Sequence, residues 1–282
     1  MGYGDQECAY LLMDLCPTTL VHYLITPPSK PETHKLSIFR DLLRGVAVMH
    51  AHSPPITHRD IKAENILRDE QGRWCLSDFG SVSTAAGPLR DAAAAAAMDH
   101  EVLRLTTPAY RAPELWNCTT GTVVGPPTDI WALGILWYWM LADGRALPFP
   151  GTNKTAIQLG QMTAPPRGSP GAVRLVEIML QQDPLARPDI HTLMRIVEEL
   201  LANPGSVPHF AVAVSSASAS PNVTSASVGS HGHGHSQTHT RLSTGERATG
   251  AESGIVSGRV AYHQAGGGHL GCTPRPPRHR HR

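Results

Sequence analysis

His58-Arg59-Asp60-Ile61-Lys62-Ala63-Glu64-Asn65 is followed, thirteen residues after the asparagine, by Asp78-Phe79-Gly80. This short stretch gathers the groups that phosphoryl transfer requires: a carboxylate to accept or orient a hydroxyl proton, oxygen ligands for Mg²⁺, and a cation near a migrating phosphoryl group. Asp60 is the candidate base, Asn65 and Asp78 are the candidate metal ligands, and Lys62 is the candidate cation. Between Asn65 and Asp78, the apolar runs Ile66-Leu67 and Trp74-Cys75-Leu76 flank the turn formers Asp69-Glu70-Gln71-Gly72. That pattern reads as a small hairpin, which would let both metal ligands converge on one ion.

Upstream, Ala9 to Leu15 reads as an apolar strand, followed by a polar, proline-bearing stretch that ends near Pro31. Leu36, Phe39, Leu42, Leu43, Val46 and Met49 then recur at steps of three and four, the mark of an amphipathic helix against a core. Downstream, Asp129 to Leu141 is almost wholly apolar and predicts a buried helix, and two further helices are expected over Pro170–Gln182 and Asp189–Ala202. The run Ala92–Ala97 is either a short helix or an inserted low-complexity loop. The expected fold class is α+β, mostly helical, with a few strands near its start.

The whole chain of 282 residues carries a formal charge of +1, but the charge is unevenly spread. Residues 204–282 hold nine of the 16 His, seven Arg, no Lys and only Glu246 and Glu252, which makes them +5 and leaves −4 on residues 1–203. A slightly acidic body argues against nucleic-acid binding. In residues 204–282, Ser, Ala, Gly, His and Thr dominate without periodicity, a composition too poor in apolar surface to offset chain entropy, so a disordered tail is expected. Its His231-Gly232-His233-Gly234-His235 run and its arginine-rich end at Arg275–Arg282 read as solvated low complexity before they read as metal or phosphate sites.

The longest apolar run, Ile130 to Ala142, is too short to span a bilayer, and the start of the chain lacks the basic region of a signal peptide. Cys8, Cys16, Cys75, Cys118 and Cys272 are odd in number and form no C-x-x-C pair, so neither a disulfide framework nor a zinc site is expected. A cytoplasmic or nuclear location follows from these features.

The H-R-D-x-K-x-x-N pattern at 58–65 and D-F-G at 78–80 resemble the catalytic loop and metal-binding turn of eukaryotic protein kinases. Further elements follow in that family's order: Ala112-Pro113-Glu114, Asp129-Ile130-Trp131-Ala132-Leu133-Gly134, Asp183-Pro184 and Arg187-Pro188. The resemblance covers about residues 8–203. It implies a kinase-like fold with a mainly α-helical C-terminal lobe and only a remnant of the N-terminal lobe β-sheet, with a boundary between a domain at 1–203 and a tail at 204–282. Lys62, two residues after Asp60, and Thr107 in Thr106-Thr107-Pro108-Ala109-Tyr110-Arg111 look like the serine/threonine branch. Leu12–Cys16, Pro55–Asp60, Leu76–Ser81 and Thr106–Arg111 are each similar to the Numb-associated (cyclin-G-associated) kinases, which implies endocytic adaptor proteins as partners.

By the same resemblance, the ligands would be ATP and Mg²⁺ and the substrate a protein Ser or Thr. Met13 would be the gatekeeper of the adenine pocket, the Asp14 carbonyl and Cys16 N–H would bond the adenine edge, and Leu67 would be its floor; without the resemblance, Met13 and Leu67 read as ordinary core. Glu114 and Arg187 would form a buried ion pair, and Asp129 would hold the backbone of the catalytic loop. Arg59, beside Asp60, suggests control by phosphorylation of the activation segment, with Thr106 either the acceptor or a structural residue.

The departures from the family pattern bear on activity. Such kinases place a Gly-rich loop, a strand lysine and a helix glutamate before the hinge. Gly2-Tyr3-Gly4 opens like the loop, but position 7 is Glu and Asp14 follows too soon. The four lysines, Lys30, Lys35, Lys62 and Lys154, occupy a proline-rich turn, a helix start, the catalytic loop and a late loop, so none fits the strand position. Two readings result: a serine/threonine kinase with most of its upper lobe missing from the chain, or a catalytically silent pseudokinase that binds proteins.

Overall fold

Helix α2 (Glu32–His50) buries Leu36, Ile38, Phe39, Leu42, Leu43, Val46 and Ala47, while Arg44 and Val48 point outward, as the repeat of apolar positions requires. The computed structural model describes residues 13–149 and 153–208, all within one compact unit. In chain order the further helices are α1 (Leu20–Ile25), α3 (Ala92–Leu105), α4 (Pro126–Leu141), α5 (Lys154–Gln158), α6 (Pro170–Met179) and α7 (Ile190–Ala202). Two small sheets complete the α+β architecture: strands β1 (Thr18–Thr19), β2 (Ile66–Arg68) and β3 (Trp74–Leu76) in one, and β4 (Gly87–Pro88) with β5 (Val123–Val124) in the other, each antiparallel.

Helix α4 is apolar all round, so no face of it can be left in water; every residue from Thr128 to Leu141 is buried. It packs against α2 on one side and α6 on another, and α7 lies along α2. Phe39 of α2 packs on Trp137 of α4, and the Trp137 indole N–H donates to the Ala172 carbonyl of α6, which removes the cost of burying it. Among the described residues, no helix is long and apolar enough to cross a membrane.

Several elements differ from the reading of the sequence. Of the strand expected over Ala9–Leu15, residues 9–12 lie outside the described residues, and Met13 to Leu15 have no regular structure; the strand that pairs is β1. The polar stretch before Pro31 contains α1, capped by the Thr19 hydroxyl oxygen, which accepts from the His22 N–H; six residues are too few for a periodic signal. The alanine run opens a helix of 14 residues, capped by Asp91. Helix α6 ends at Met179 rather than at Gln182, and Asp189 caps α7 rather than belonging to it. Beyond α7, Pro208 is buried, while the expected disorder of the tail falls, from residue 209 onward, outside the described residues.

Candidate active site

The β2–β3 hairpin forms as its sequence predicts, with Ile66 opposite Leu76 and Leu67 opposite Cys75. One step further along the ladder, the Asn65 carbonyl accepts from both the backbone N–H and the hydroxyl of Ser77. Asn65 and Asp78 are thereby brought to the same end of the hairpin. Asp78 has left-handed backbone angles, φ 63° and ψ 71°, which an aspartate tolerates better than most residues. Its carboxylate is exposed, with one long contact, 3.4 Å, from the Gly80 N–H.

Asp60 is only 7% exposed, and its carboxylate is saturated with donors. Oδ1 accepts from the Thr107 N–H at 3.0 Å and from the Thr107 hydroxyl at 2.6 Å; Oδ2 accepts from Lys62 Nζ at 2.7 Å and from Asn65 Nδ2 at 3.3 Å. Lys62 Nζ also donates to Thr107 Oγ1 at 2.9 Å, closing a triangle of acid, cation and hydroxyl. Four contacts use the acceptor capacity of one carboxylate. Asn65 spends its amide nitrogen on Asp60, on both Oδ2 and the main-chain carbonyl, so its side-chain oxygen is the atom left for a ligand.

The loop that carries Asp60 hangs from Asp129, which is fully buried at the start of α4. One carboxylate oxygen accepts from the His58 N–H at 2.8 Å and from His50 Nε2, and the other accepts from the Arg59 N–H at 2.9 Å. His58 is the joint between loop and hairpin. Its Nδ1 accepts from the Asp60 N–H, so Nε2 carries the proton and donates to the Ser77 carbonyl. Nothing about a lone histidine in sequence marks that double role.

Elsewhere, Glu114 and Arg187 form the buried pair that the sequence suggests, with two parallel bonds of 2.7 Å. Thr106 is the structural residue of the two alternatives: it is buried, its hydroxyl donates to the Val102 carbonyl and its oxygen accepts from Arg111 Nε. Tyr110 is buried near Ala63; burial first, then the negative charges of Glu64 and Asp60, push its phenol well above the usual range, so it remains neutral. Burial first, then Asp99, pushes the Cys118 thiol up to about 12, which keeps it unreactive.

The candidate adenine residues are less closely gathered. Leu67 lies half-buried in β2, between Thr19 and Cys75, whereas Met13 is 63% exposed rather than part of a core. Asp14 and Leu15 line a cavity of about 340 Å³ with Asp69, Glu70, Gln71 and Arg73, and neither Leu67 nor Asp78 is in its wall. Its three acids would repel a phosphate chain.

Residues 2–197 match the family model of the protein kinase domain. Among curated proteins, the chain is 31% identical over 206 residues to the actin-regulating kinase PRK1 of Saccharomyces cerevisiae, covering 71% of this chain and 25% of that protein. It is 34% identical over 197 residues to actin-regulating kinase 1 of the same yeast, covering 68% and 30%. To the serine/threonine-protein kinase ppk30 of Schizosaccharomyces pombe it is 31% identical over 210 residues, covering 71% and 21%. The chain thus spans less than a third of the length of these relatives.

Proposed function

Because the chain belongs to the protein kinase family, we propose that it transfers the γ-phosphoryl group of ATP, with Mg²⁺, to serine or threonine of a protein substrate. The observation that carries this reading is the Asp60 carboxylate with Lys62 and Thr107 bonded to it. A substrate hydroxyl docking at Asp60 replaces one of the four donors, and the most weakly held is Asn65 at 3.3 Å. Asp60 then orients the hydroxyl and takes its proton as the new bond to the γ-phosphorus forms and the bond from that phosphorus to the bridging oxygen breaks, releasing ADP. Lys62, bonded to both Asp60 and Thr107, is the cation at hand for the developing phosphoryl charge, and Thr107 holds the Asp60 carboxylate in place.

The side-chain oxygen of Asn65 and the exposed carboxylate of Asp78 fit a hard divalent cation, which commonly takes one or two protein oxygens and fills its other positions from phosphate and water. When bound, such a cation neutralises the charge of the phosphate oxygens. The cluster of three or more His, Cys, Asp or Glu that would suit a more strongly bound metal is absent among the described residues. For the adenine end of ATP, the proposed contacts remain Met13, the Asp14 carbonyl, the Cys16 N–H and Leu67, on the family resemblance. The similarity to Numb-associated kinases supports endocytic adaptor proteins as the substrate class, and residues 1–203 as the domain that acts on them.

A second reading, a silent kinase-like module that binds proteins, is favoured by one observation: the lysines other than Lys62 are engaged elsewhere. Lys30 donates to the Thr26 and Pro28 carbonyls, Lys35 is buried on Asp143, and Lys154 donates to the Trp116 carbonyl. A radiolabel transfer assay with serine, threonine and tyrosine peptides under Mg·ATP separates the readings. Asp60→Asn is expected to lower transfer by about 10²- to 10⁴-fold, the usual worth of a catalytic base. Wild-type rates in that variant would refute the assignment of Asp60, labelling of tyrosine alone would refute the assignments of Lys62 and Thr107, and no transfer by wild type would favour the silent module.

A further inference from the structure

A cavity of about 300 Å³ lies between the end of α2, the start of α4 and the start of α7. Ile130 and Ile190, both almost fully buried, and the rings of Pro126, Pro127, Pro184 and Pro188 make most of its wall apolar. Leu185, 70% exposed, is where that wall meets water. None of the residues proposed to contact ATP or the substrate hydroxyl is part of it.

One polar side chain of the wall is buried and only half used. The His50 side chain is 5% exposed, and its Nε2 lies 3.0 Å from Asp129 Oδ2. A carboxylate can only accept, so Nε2 carries the proton and Nδ1 is a bare acceptor. Nδ1 has no partner among the described residues, and the two nitrogens of an imidazole diverge, so it is the atom left to meet an occupant of the cavity. The other polar groups are spent. Arg187 is bonded to Glu114 and to three carbonyls, and the Asp189 carboxylate caps α7 by accepting from the Thr192 N–H. Since Glu114 neutralises Arg187, the charge of Asp189 disfavours an anion.

We propose that this cavity binds a free, neutral, fused-ring aromatic molecule that donates an N–H or O–H to His50 Nδ1. An apolar cavity of about 150 Å³ holds one benzene ring, so about twice that volume holds a bicyclic ring such as indole. A free molecule is favoured over a peptide because the four prolines have no backbone N–H with which to hold an extended chain.

The cavity is joined to the loop that carries Asp60. Asp129 accepts from the His58 N–H, the Arg59 N–H and His50 Nε2. The Arg59 side chain turns elsewhere, to the Ser81 carbonyl and to Glu101 of α3 at 2.6 Å, so His50 is the side chain that links the cavity to Asp129. A donor on Nδ1 polarises the ring and strengthens its bond to Asp129.

Isothermal titration of the full chain with indole is expected to give a dissociation constant below about 1 mM. The analogue 1-methylindole, which keeps the rings and loses the donor, is expected to bind about three- to tenfold more weakly. Leu185→Glu, at an exposed position, is expected to weaken indole binding by about threefold or more. His50→Phe is expected to bind the two compounds equally; should that variant not fold, Leu185→Glu and the two ligands on wild type still decide. No binding of indole, equal affinity of wild type for both compounds, indifference to Leu185→Glu or continued discrimination by His50→Phe would each overturn the site. Tighter binding of N-acetyltryptophanamide than of indole would overturn its assignment to a free molecule. Hydrogen–deuterium exchange with saturating indole is expected to slow at the amides of His58 and Arg59, and unchanged exchange there would overturn the link to Asp129. None of these readouts needs turnover, so failure of this proposal and failure of the kinase reading are distinguishable.

Discussion

Arg187 has no exposed side-chain surface, and besides its two bonds to Glu114 it donates to the carbonyls of Pro127, Gln181 and Gln182. Replacing it by alanine strands the Glu114 carboxylate and three carbonyls in a site that water reaches poorly. Arg187→Ala is therefore expected to cost about 3–5 kcal/mol, a large share of a typical domain's total of about 5–15 kcal/mol, as read by urea denaturation. Asp143 offers a pH test of a second buried pair. Burial alone would raise its carboxyl, but hydrogen bonds from Lys35 and Ser29 and the charges of Lys35 and Arg167 outweigh it and hold the group below its ordinary 3.8. A carboxylate with a lowered folded-state value stabilises fully above the unfolded value and loses that contribution as pH falls through the folded one. The melting temperatures of wild type and Asp143→Asn are thus expected to differ most above about pH 5 and to converge as pH falls below 3.8. Asparagine is the right substitute because Asp143 has φ 51°, which asparagine also tolerates.

At the scale of elements, α4 is the post on which the candidate site hangs, since it carries Asp129 and touches both α2 and α6. Its close approach to α6 depends on Gly134. A Cβ there would meet Leu180 Cδ2 at 2.7 Å and Met179 Cβ at 2.9 Å. The leucine tip can move aside, but the methionine Cβ cannot move without its helix. Gly134→Ala is expected to destabilise by about 1–3 kcal/mol, offset in part by the better helix propensity of alanine, and a lowered midpoint in thermal unfolding checks it. The helix α3 shows the reverse relation between sequence and structure. Its alanines carry no chemistry, yet they extend the helix that delivers Glu101 and then Thr107.

For the molecule as a whole, the candidate catalytic cluster is assembled while, among the described residues, few lysines are left to meet a phosphate. Lys35 and Lys154 are committed elsewhere, Lys30 lies in its turn, and Lys62 is on Asp60. Each charge-assisted contact to phosphate is worth about 1.5–3 kcal/mol, so a chain short of two of them is expected to bind Mg·ATP about 10²-fold or more weakly than a site that has them. Isothermal titration of the chain of 282 residues with Mg·ATP measures this directly; low-micromolar affinity would mean that other groups complete the site.

Local pattern along the chain was enough for the kinase-like fold class, the β2–β3 hairpin, the long helices α2, α4, α6 and α7 to within a few residues, and the grouping of Asp60, Lys62 and Asn65. These were legible because their signals are local: a motif of eight residues, a two-run hairpin with turn formers, and apolar repeats at helical spacing. Short α1 and the alanine-rich start of α3 were not, because six residues or a run of one residue type give no period to read. Packing in three dimensions was needed to see that Thr106 is structural, that His58 bridges loop and hairpin, that Lys35 pairs with Asp143 and that Arg59 is held by Glu101. Each of the last two pairs joins residues far apart along the chain, 108 and 42 positions in turn. Which charged side chains meet at that range depends on how helices pack, and a pattern of apolar residues fixes the packed face of a helix without fixing the partner of a charge on it.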